Sequence, residues 1–409
     1  MFYPTVTVNI MIVVDYKIFF IYAGGMLVKR KSFLSVVGAI LAGALMLTAC
    51  SGGANTGKQG DANGLKIAIV SSPSGVDDGS FNQENYNGIL SFISAHPGSV
   101  VTPVQETTGD TAAAIKAVED IVVDYDVIVC DGFQFAGITE IAKDNPTKKF
   151  ILVDTFPSDA DGNEVAIDNI YAMTFKEEEG GFLAGMAAAL KSKTKKVAVV
   201  NGIAFPTNVN YQYGFMSGVN YANKHYNTGV EVVELASYAG TDVTGANVGG
   251  NYVGSFGDPA GGKVIGEALI KEGCDVIFVA AGASGNGVFT AVKESAAEDY
   301  VIGCDTDQFA DGVNGSENIV LTSSLKVMGA NDKRVLETVL DGTFKGGNYL
   351  LGADSDSVGY VSDLSRCQLT ADDVAKIDKA LALVKNGTIV PAANFSGTTP
   401  DNFQGIDAE

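Results

Sequence analysis

The 409-residue chain contains no Trp and only two His. Indole is a common platform for stacking pyranose rings, so its absence argues against a sugar-binding site of that kind. His96 stands beside Pro97 in a predicted loop and His225 near a predicted helix end; both read as surface residues, away from the strand ends where chemistry gathers. The chain also lacks a Cys-x-x-Cys pair, a Gly-x-Ser-x-Gly elbow and any His/Cys cluster with metal-ligand spacing. Hydrolases and oxidoreductases therefore miss their usual reactive groups, so no metal or cofactor is expected and the chain does not read as an enzyme. Positive charge is scarce as well. The 27 Lys and Arg face 48 Asp and Glu, and the net charge of −21 would repel a phosphate backbone, which excludes non-specific nucleic-acid binding. Gly52, Gly57 and Lys58 imitate a phosphate loop, but Gln59 replaces the required hydroxyl and no buried strand precedes it.

What is present begins with an address. Lys29, Arg30 and Lys31 precede an apolar run from Phe33 to Ala49, which ends in Leu47-Thr48-Ala49-Cys50. This is the pattern of a secretory signal with a lipobox, in which Cys50 would receive the lipid and become the mature N-terminus. The run is shorter than the roughly 20 residues of a membrane span. Residues 1–25 precede Met26, which opens a complete signal by itself, so they read as a start-site extension of a 1–49 signal peptide. Residues 50–64 are Gly/Ser/Asn-rich and read as a flexible tether. The expected location is extracytoplasmic, lipid-anchored to the cell membrane. Of the remaining cysteines, Cys130, Cys274, Cys304 and Cys367, the first three lie beside apolar runs, and small core residues are the reading preferred over metal ligands.

From Leu65 onward, short β-branched runs alternate with amphipathic patterns. The runs are 65–70, 126–130, 150–154, 196–200, 275–281 and 301–305; helices are predicted near 83–95, 111–124, 178–192, 211–225, 262–272, 287–298 and 329–341. Continuous apolar strands are buried on both faces, which means parallel sheets covered by helices and an α/β class. The strands divide near residue 170 into two groups, each able to form a doubly wound sheet. In such sheets, ligands bind beyond the carboxyl ends of the strands.

The residues at those ends are therefore the candidates. After 65–70 comes a polar loop with Asp78, Phe81 and Asn82; an exposed aromatic beside a carboxylate and an amide suits a flat heterocycle. The same residues equally suit a helix start capped by Asp78 or Ser80. Asp154 ends the 150–154 run and could accept paired donors from a ligand or stand in a solvated turn. Asp305 ends 301–305, and Lys326 follows the next run, so together they could hold a diol or form a structural salt bridge. Gly282, with Gly285 and Gly287, lets backbone approach a ligand closely. The helix Gly180–Leu190 is rich in small residues and reads as tightly packed core.

Seven ordered segments now resemble one family: 77–88, 175–189, 211–219, 254–263, 275–289, 302–308 and 321–326. The chain is similar, over roughly residues 65–365, to the basic membrane protein (Bmp) family of lipoprotein substrate-binding components of ABC transporters, which includes bacterial purine nucleoside receptors. The resemblance implies a type I periplasmic-binding-protein fold: two doubly wound parallel-sheet lobes joined by a three-strand hinge. Lobe 1 is expected to comprise 65–170 plus 304–327, and lobe 2 to comprise 171–303 plus 328–409. It implies that Phe81 stacks on a purine, with Asp78 and Asn82 on the same wall. Asp154 would face the base edge, Phe205 or Phe256 would form the second aromatic wall, and Asp305 with Lys326 would take the ribose hydroxyls near Gly282. The implied partners are a purine nucleoside (guanosine, inosine or adenosine), an ABC permease and ATPase, and the membrane through the N-terminal lipid. The chain departs from the family pattern at Asn201 and Cys304 and carries an apparent insertion at 240–251. An exported nucleoside-processing enzyme, or a sensor or adhesin on the same scaffold, is the alternative reading.

Overall fold

Six parallel-pairing strands form the first sheet, and their side-chain alternation explains why both faces are covered. The computed structural model describes residues 64–394 and 396–409, together with a short antiparallel pair, Ile12–Val14 with Lys17–Phe19. The expected signal peptide, Cys50 and all but the last residue of the tether lie outside the described residues. In the first lobe β1 (Lys66–Ser71), β2 (Val100–Gln105), β3 (Val127–Asp131), β4 (Lys149–Val153) and β5 (Ile170–Phe175) are joined by a late strand, β11 (Gly347–Leu351), in the order β11-β5-β4-β3-β1-β2. Ile67, Ile69, Val127 and Val129 point to one face, packed by α1 (Phe81–Ala95) and α8 (Met328–Leu340). Ala68, Val70, Ile128 and Cys130 point to the other, packed by α2 (Thr111–Ile121) and α3 (Thr139–Asp144).

The second lobe repeats this plan. β6 (Lys196–Asn201), β7 (Glu231–Val232), β8 (Val276–Ala280), β9 (Tyr300–Gly303), β10 (Val320–Lys326) and β12 (Val358–Tyr360) lie in the order β12-β10-β9-β8-β6-β7, with only β12 antiparallel. One face packs against α4 (Glu177–Lys191), α5 (Pro206–Tyr226) and α9 (Ala371–Lys385), the other against α6 (Pro259–Lys271) and α7 (Gly285–Glu294). Each sheet thus reverses strand order once, between β1 and β3 and between β6 and β8. These switch points are where loops diverge and leave a crevice.

The α/β class and the two parallel sheets stand as expected, but the segment exchange between lobes runs the other way. The strand within 304–327, β10, pairs with β9 through Val301↔Val320 and belongs to the second sheet. Residues 171–175 complete β5, and 328–351 supply α8 and β11 to the first lobe, where Gly347 pairs with Tyr171. The chain crosses between sheets three times: after Phe175, at Lys326–Met328, and between Leu351 and Val358. Apolar runs announce strands, whereas the sheet a strand joins depends on pairing partners far away in sequence.

Helix pairs approach closely because glycines face backbone. A Cβ on Gly88 of α1 would stand 2.2 Å from the Gly329 carbonyl oxygen of α8. On α4 and α5, Gly185 and Gly218 press against the Phe215 and Phe182 carbonyls, which bears out the reading of 180–190 as core. The four cysteines among the described residues, Cys130, Cys274, Cys304 and Cys367, are buried and free. His225 departs from the surface reading: its Nε2 lies 2.9 Å from the Ile406 carbonyl, and its ring packs on Tyr221. No helix among the described residues is long and apolar enough to cross a membrane.

Candidate functional site

The loops beyond both switch points line a cleft between the two sheets. All nine residues singled out in the sequence line it: Asp78, Phe81, Asn82, Asp154, Phe205, Phe256, Gly282, Asp305 and Lys326. Seven of them came from the post-strand rule, and Phe205 and Phe256 from the family resemblance; their individual engagements differ from expectation.

Asp78 is consumed by the helix entry. Its carboxylate accepts the backbone N–H groups of Ser80, Asn82 and Gln83 and the Asn82 amide. Burial raises its pKa while these donors oppose the rise. The capping alternative thus describes Asp78, and it holds Phe81 at the first position of α1, on the cleft wall. Asn82 Nδ2 also donates to Ser72, which leaves its Oδ1 buried without a partner.

Asp154 and Asp305 both adopt left-handed backbone, with φ of 64° and 69°. Such conformations are costly for non-glycine residues and turn each carboxylate sharply off its strand. Their partners separate them. Asp154 Oδ2 takes the Lys326 ammonium, and Glu177 Oε1 lies 3.1 Å from the same nitrogen. Asp305 instead accepts the Ser80 hydroxyl at 3.0 Å and the Tyr211 hydroxyl at 3.4 Å. The expected joint action of Asp305 and Lys326 is therefore replaced by a buried Asp154–Lys326–Glu177 cluster. Lys326 projects from the end of β10 at the hinge, directly over the first lobe's β4 terminus, and so meets the other aspartate. Burial would lower its pKa, but Asp154 and Glu177 outweigh that and hold it raised. Burial lifts Glu177 to about 8 despite the lysine, and it also lifts Asp154, leaving Oδ1 without a partner.

The aromatic side is built from both lobes. Lys326 Nζ sits 5.3 Å from the ring centroids of Phe81 and of Phe175. Phe205 packs on Phe133, a residue the sequence reading missed, with centroids 3.9 Å apart. Phe256 lies against Gly202 and Gly282, where a side chain on Gly202 would strike the ring at 2.3 Å. Small residues at both positions make room for it. The lobes touch elsewhere through Gln308 Nε2 to the Gly79 carbonyl at 3.0 Å, so the structure is a closed arrangement.

Asp131 was also missed, although it follows the 126–130 run as Asp154 follows its own. Its side chain is 1% exposed, lines the cleft and has no partner on either oxygen. Lys326 is the only Lys or Arg on the lining, against Asp78, Asp131, Asp154 and Asp305. This surface offers acceptors to N–H and O–H groups and repels phosphates and carboxylates.

Comparison with known proteins adds an independent line. The family model of PnrA-like ABC transporter substrate-binding proteins (Bmp) matches residues 65–245 and 236–393. The CD4+ T-cell-stimulating antigen of Listeria innocua is 28% identical over 379 residues, spanning 88% of this chain and 98% of its own. The ABC transporter nucleoside-binding protein BmpA of Lactococcus lactis subsp. cremoris is 28% identical over 339 residues, spanning 78% and 87%. Among solved structures, an ABC transporter solute-binding protein from Aeropyrum pernix superposes with a TM-score of 0.65 at 22% identity, covering 81% of this chain and 94% of its own, a likeness of fold.

Proposed function

Because this chain belongs to the Bmp family of PnrA-like ABC transporter substrate-binding proteins, we propose that it captures a purine nucleoside in the interlobe cleft and delivers it to a membrane permease. The observation that carries this reading is the pairing of aromatic plates with unsatisfied acceptors. Phe81 from the first lobe and Phe205 and Phe256 from the second line the cleft, and Asp154 Oδ1, on the same lining, has no protein donor. A flat base with ring N–H groups meets both demands, and Asp305 offers a carboxylate to ribose hydroxyls by exchanging its Ser80 and Tyr211 bonds. The name of the Lactococcus relative supports the same ligand class.

Ligand contacts both lobes only when they are closed, so binding shifts the population toward the closed form, which the permease reads. The tether on lipidated Cys50 keeps the receptor at the membrane. Catalysis is the weaker reading, because Asp78 and Asp154 are both committed to structural partners.

Mass spectrometry of small molecules released on denaturation, then calorimetric titration with guanosine, inosine, adenosine and ribose, tests the ligand. Saturable 1:1 binding of a nucleoside but not ribose is expected, with a free energy near −8 kcal/mol, about micromolar affinity. Phe81→Ala should weaken it by at least about tenfold with unfolding unchanged; undiminished affinity would remove Phe81 from the site. Cys50→Ser should abolish incorporation of labelled palmitate, and retained label would refute the anchor.

A further inference from the structure

Behind Phe81, between the first sheet and helices α1 and α8, lie five buried polar side chains, two of which, Asn82 and Asp131, also reach the cleft lining. Strand alternation aims Ser71 of β1 and Asp131 of β3 to the same face as Ile67, Ile69, Val127 and Val129, the face covered by α1 and α8. Asn82 and Asn85 descend from α1 one turn apart. Asp332 comes from α8, one turn beyond Met328, and Asn85 Nδ2 reaches the Met328 sulfur at 3.7 Å across the helix seam. These five residues are at most 1% exposed.

Six of their seven unsatisfied atoms are amide or carboxyl oxygens, and the seventh is a hydroxyl. Ser71 Oγ, the Oδ1 atoms of Asn82 and Asn85, and both carboxylate oxygens of Asp131 and of Asp332 have no hydrogen-bond partner. The amide nitrogens are turned away: Asn82 Nδ2 donates to Ser72 and Asp78, and Asn85 Nδ2 to the Phe81 carbonyl. Lys326 is taken by Asp154 and Glu177. Buried polar atoms are seldom left unpaired, and one hydroxyl cannot satisfy six amide and carboxyl oxygens, so the set calls for a partner that donates or carries positive charge.

Two carboxylates with amide and hydroxyl oxygens, and no sulfur or imidazole, form the donor set of a hard cation. Calcium accepts six to eight oxygens in flexible geometry and balances two carboxylates, whereas magnesium demands a stricter octahedron and keeps water. Among the described residues no group of three or more His, Cys, Asp or Glu could hold a metal, so the amide and hydroxyl oxygens must complete any such set. Burial pushes both carboxyls well above the usual range, with Asp332 the leading charged neighbour raising Asp131. A bound cation relieves that penalty.

We propose that Asp131, Asp332, Asn82, Asn85 and Ser71 form a binding site for a calcium-like divalent cation beneath the ligand cleft. It shares Asn82 and Asp131 with the cleft lining, whereas Ser71, Asn85 and Asp332 lie outside it. The test is thermal unfolding and calorimetry of the chelator-treated protein titrated with calcium, magnesium or sodium chloride. One calcium per chain and a rise in Tm of about 5 °C at a hundredfold excess over Kd are expected, with the rise lost in Asp332→Asn, which does not line the cleft. No response to any of the three salts, a response to magnesium or sodium alone, or an equal calcium shift in Asp332→Asn would overturn the proposal. Wild-type calorimetry decides stoichiometry without any variant. Nucleoside titration of the same samples reports separately on the cleft.

Discussion

Asp154 and Asp305 occupy corresponding places in the two lobes. Each follows the fourth strand in its sheet's order, β4 or β9, counted from the edge strand β2 or β7, and each bends the chain through a left-handed residue. The backbone device is the same, but the electrostatics differ. Asp154 is answered by a buried ammonium shared with Glu177, and Asp305 by two hydroxyls, one of which, Ser80, comes from the opposite lobe. A buried carboxylate with a charged partner is fixed whatever occupies the cleft. One held by neutral hydroxyls across a moving boundary can trade them for hydroxyls of a ligand at little cost. Duplicated architecture thus yields one permanent anchor and one exchangeable contact.

The sharpest way to break this contrast is to remove the anchor's cation. Lys326→Met leaves Asp154 and Glu177 buried without compensation and should cost about 3–5 kcal/mol in urea unfolding. Adding Asp154→Asn to that variant should restore a large part, since the stranded charge is what hurts. Losses that simply add would show the pair to be uncoupled. Asp305→Asn should behave oppositely, changing stability by no more than about 1 kcal/mol while lowering nucleoside affinity about tenfold; equal damage to stability from both aspartates would erase the distinction.

A pH-dependent test lies at the first hinge crossing. Burial raises Glu178 from the ordinary 4.5 to about 7, so the folded state holds its proton more tightly than the unfolded chain does. The stability tied to that proton is complete below pH 4.5 and fades as pH rises through about 7. Glu178→Gln should therefore match the wild type in Tm at pH 5 and exceed it at pH 8. Parallel curves would assign the pH response to other groups.

Much of this was legible because buried parallel strands write continuous apolar runs: β1, β3, β4, β6, β8 and β9 stood out. β2 was obscured by Pro103, which the edge of a sheet tolerates. β11 and β12 are short or partly exposed and carry no run. Capping and packing of α9 follow from Thr370 and Asp373, a capping box present in the sequence but not weighed. The rule that chemistry follows strand ends gathered seven lining residues, the family resemblance added Phe205 and Phe256, and the rule applied evenly would have added Asp131. It could not tell that Lys326 meets Asp154 rather than Asp305, because that depends on where the chain crosses the hinge. Asp332 carried no signal at all, being an acidic residue in mid-helix whose burial only the α1–α8 contact reveals.

The three crossings between lobes set the number of ways the molecule can move. A single linker would let the halves swivel, slide and separate; three short connections side by side remove most of those freedoms and leave rotation about one axis. Opening and shutting then retrace one path. Ser80 with Asp305, and Phe133 with Phe205, are the interlobe pairs that a rotation about that one axis would part and rejoin in the same register.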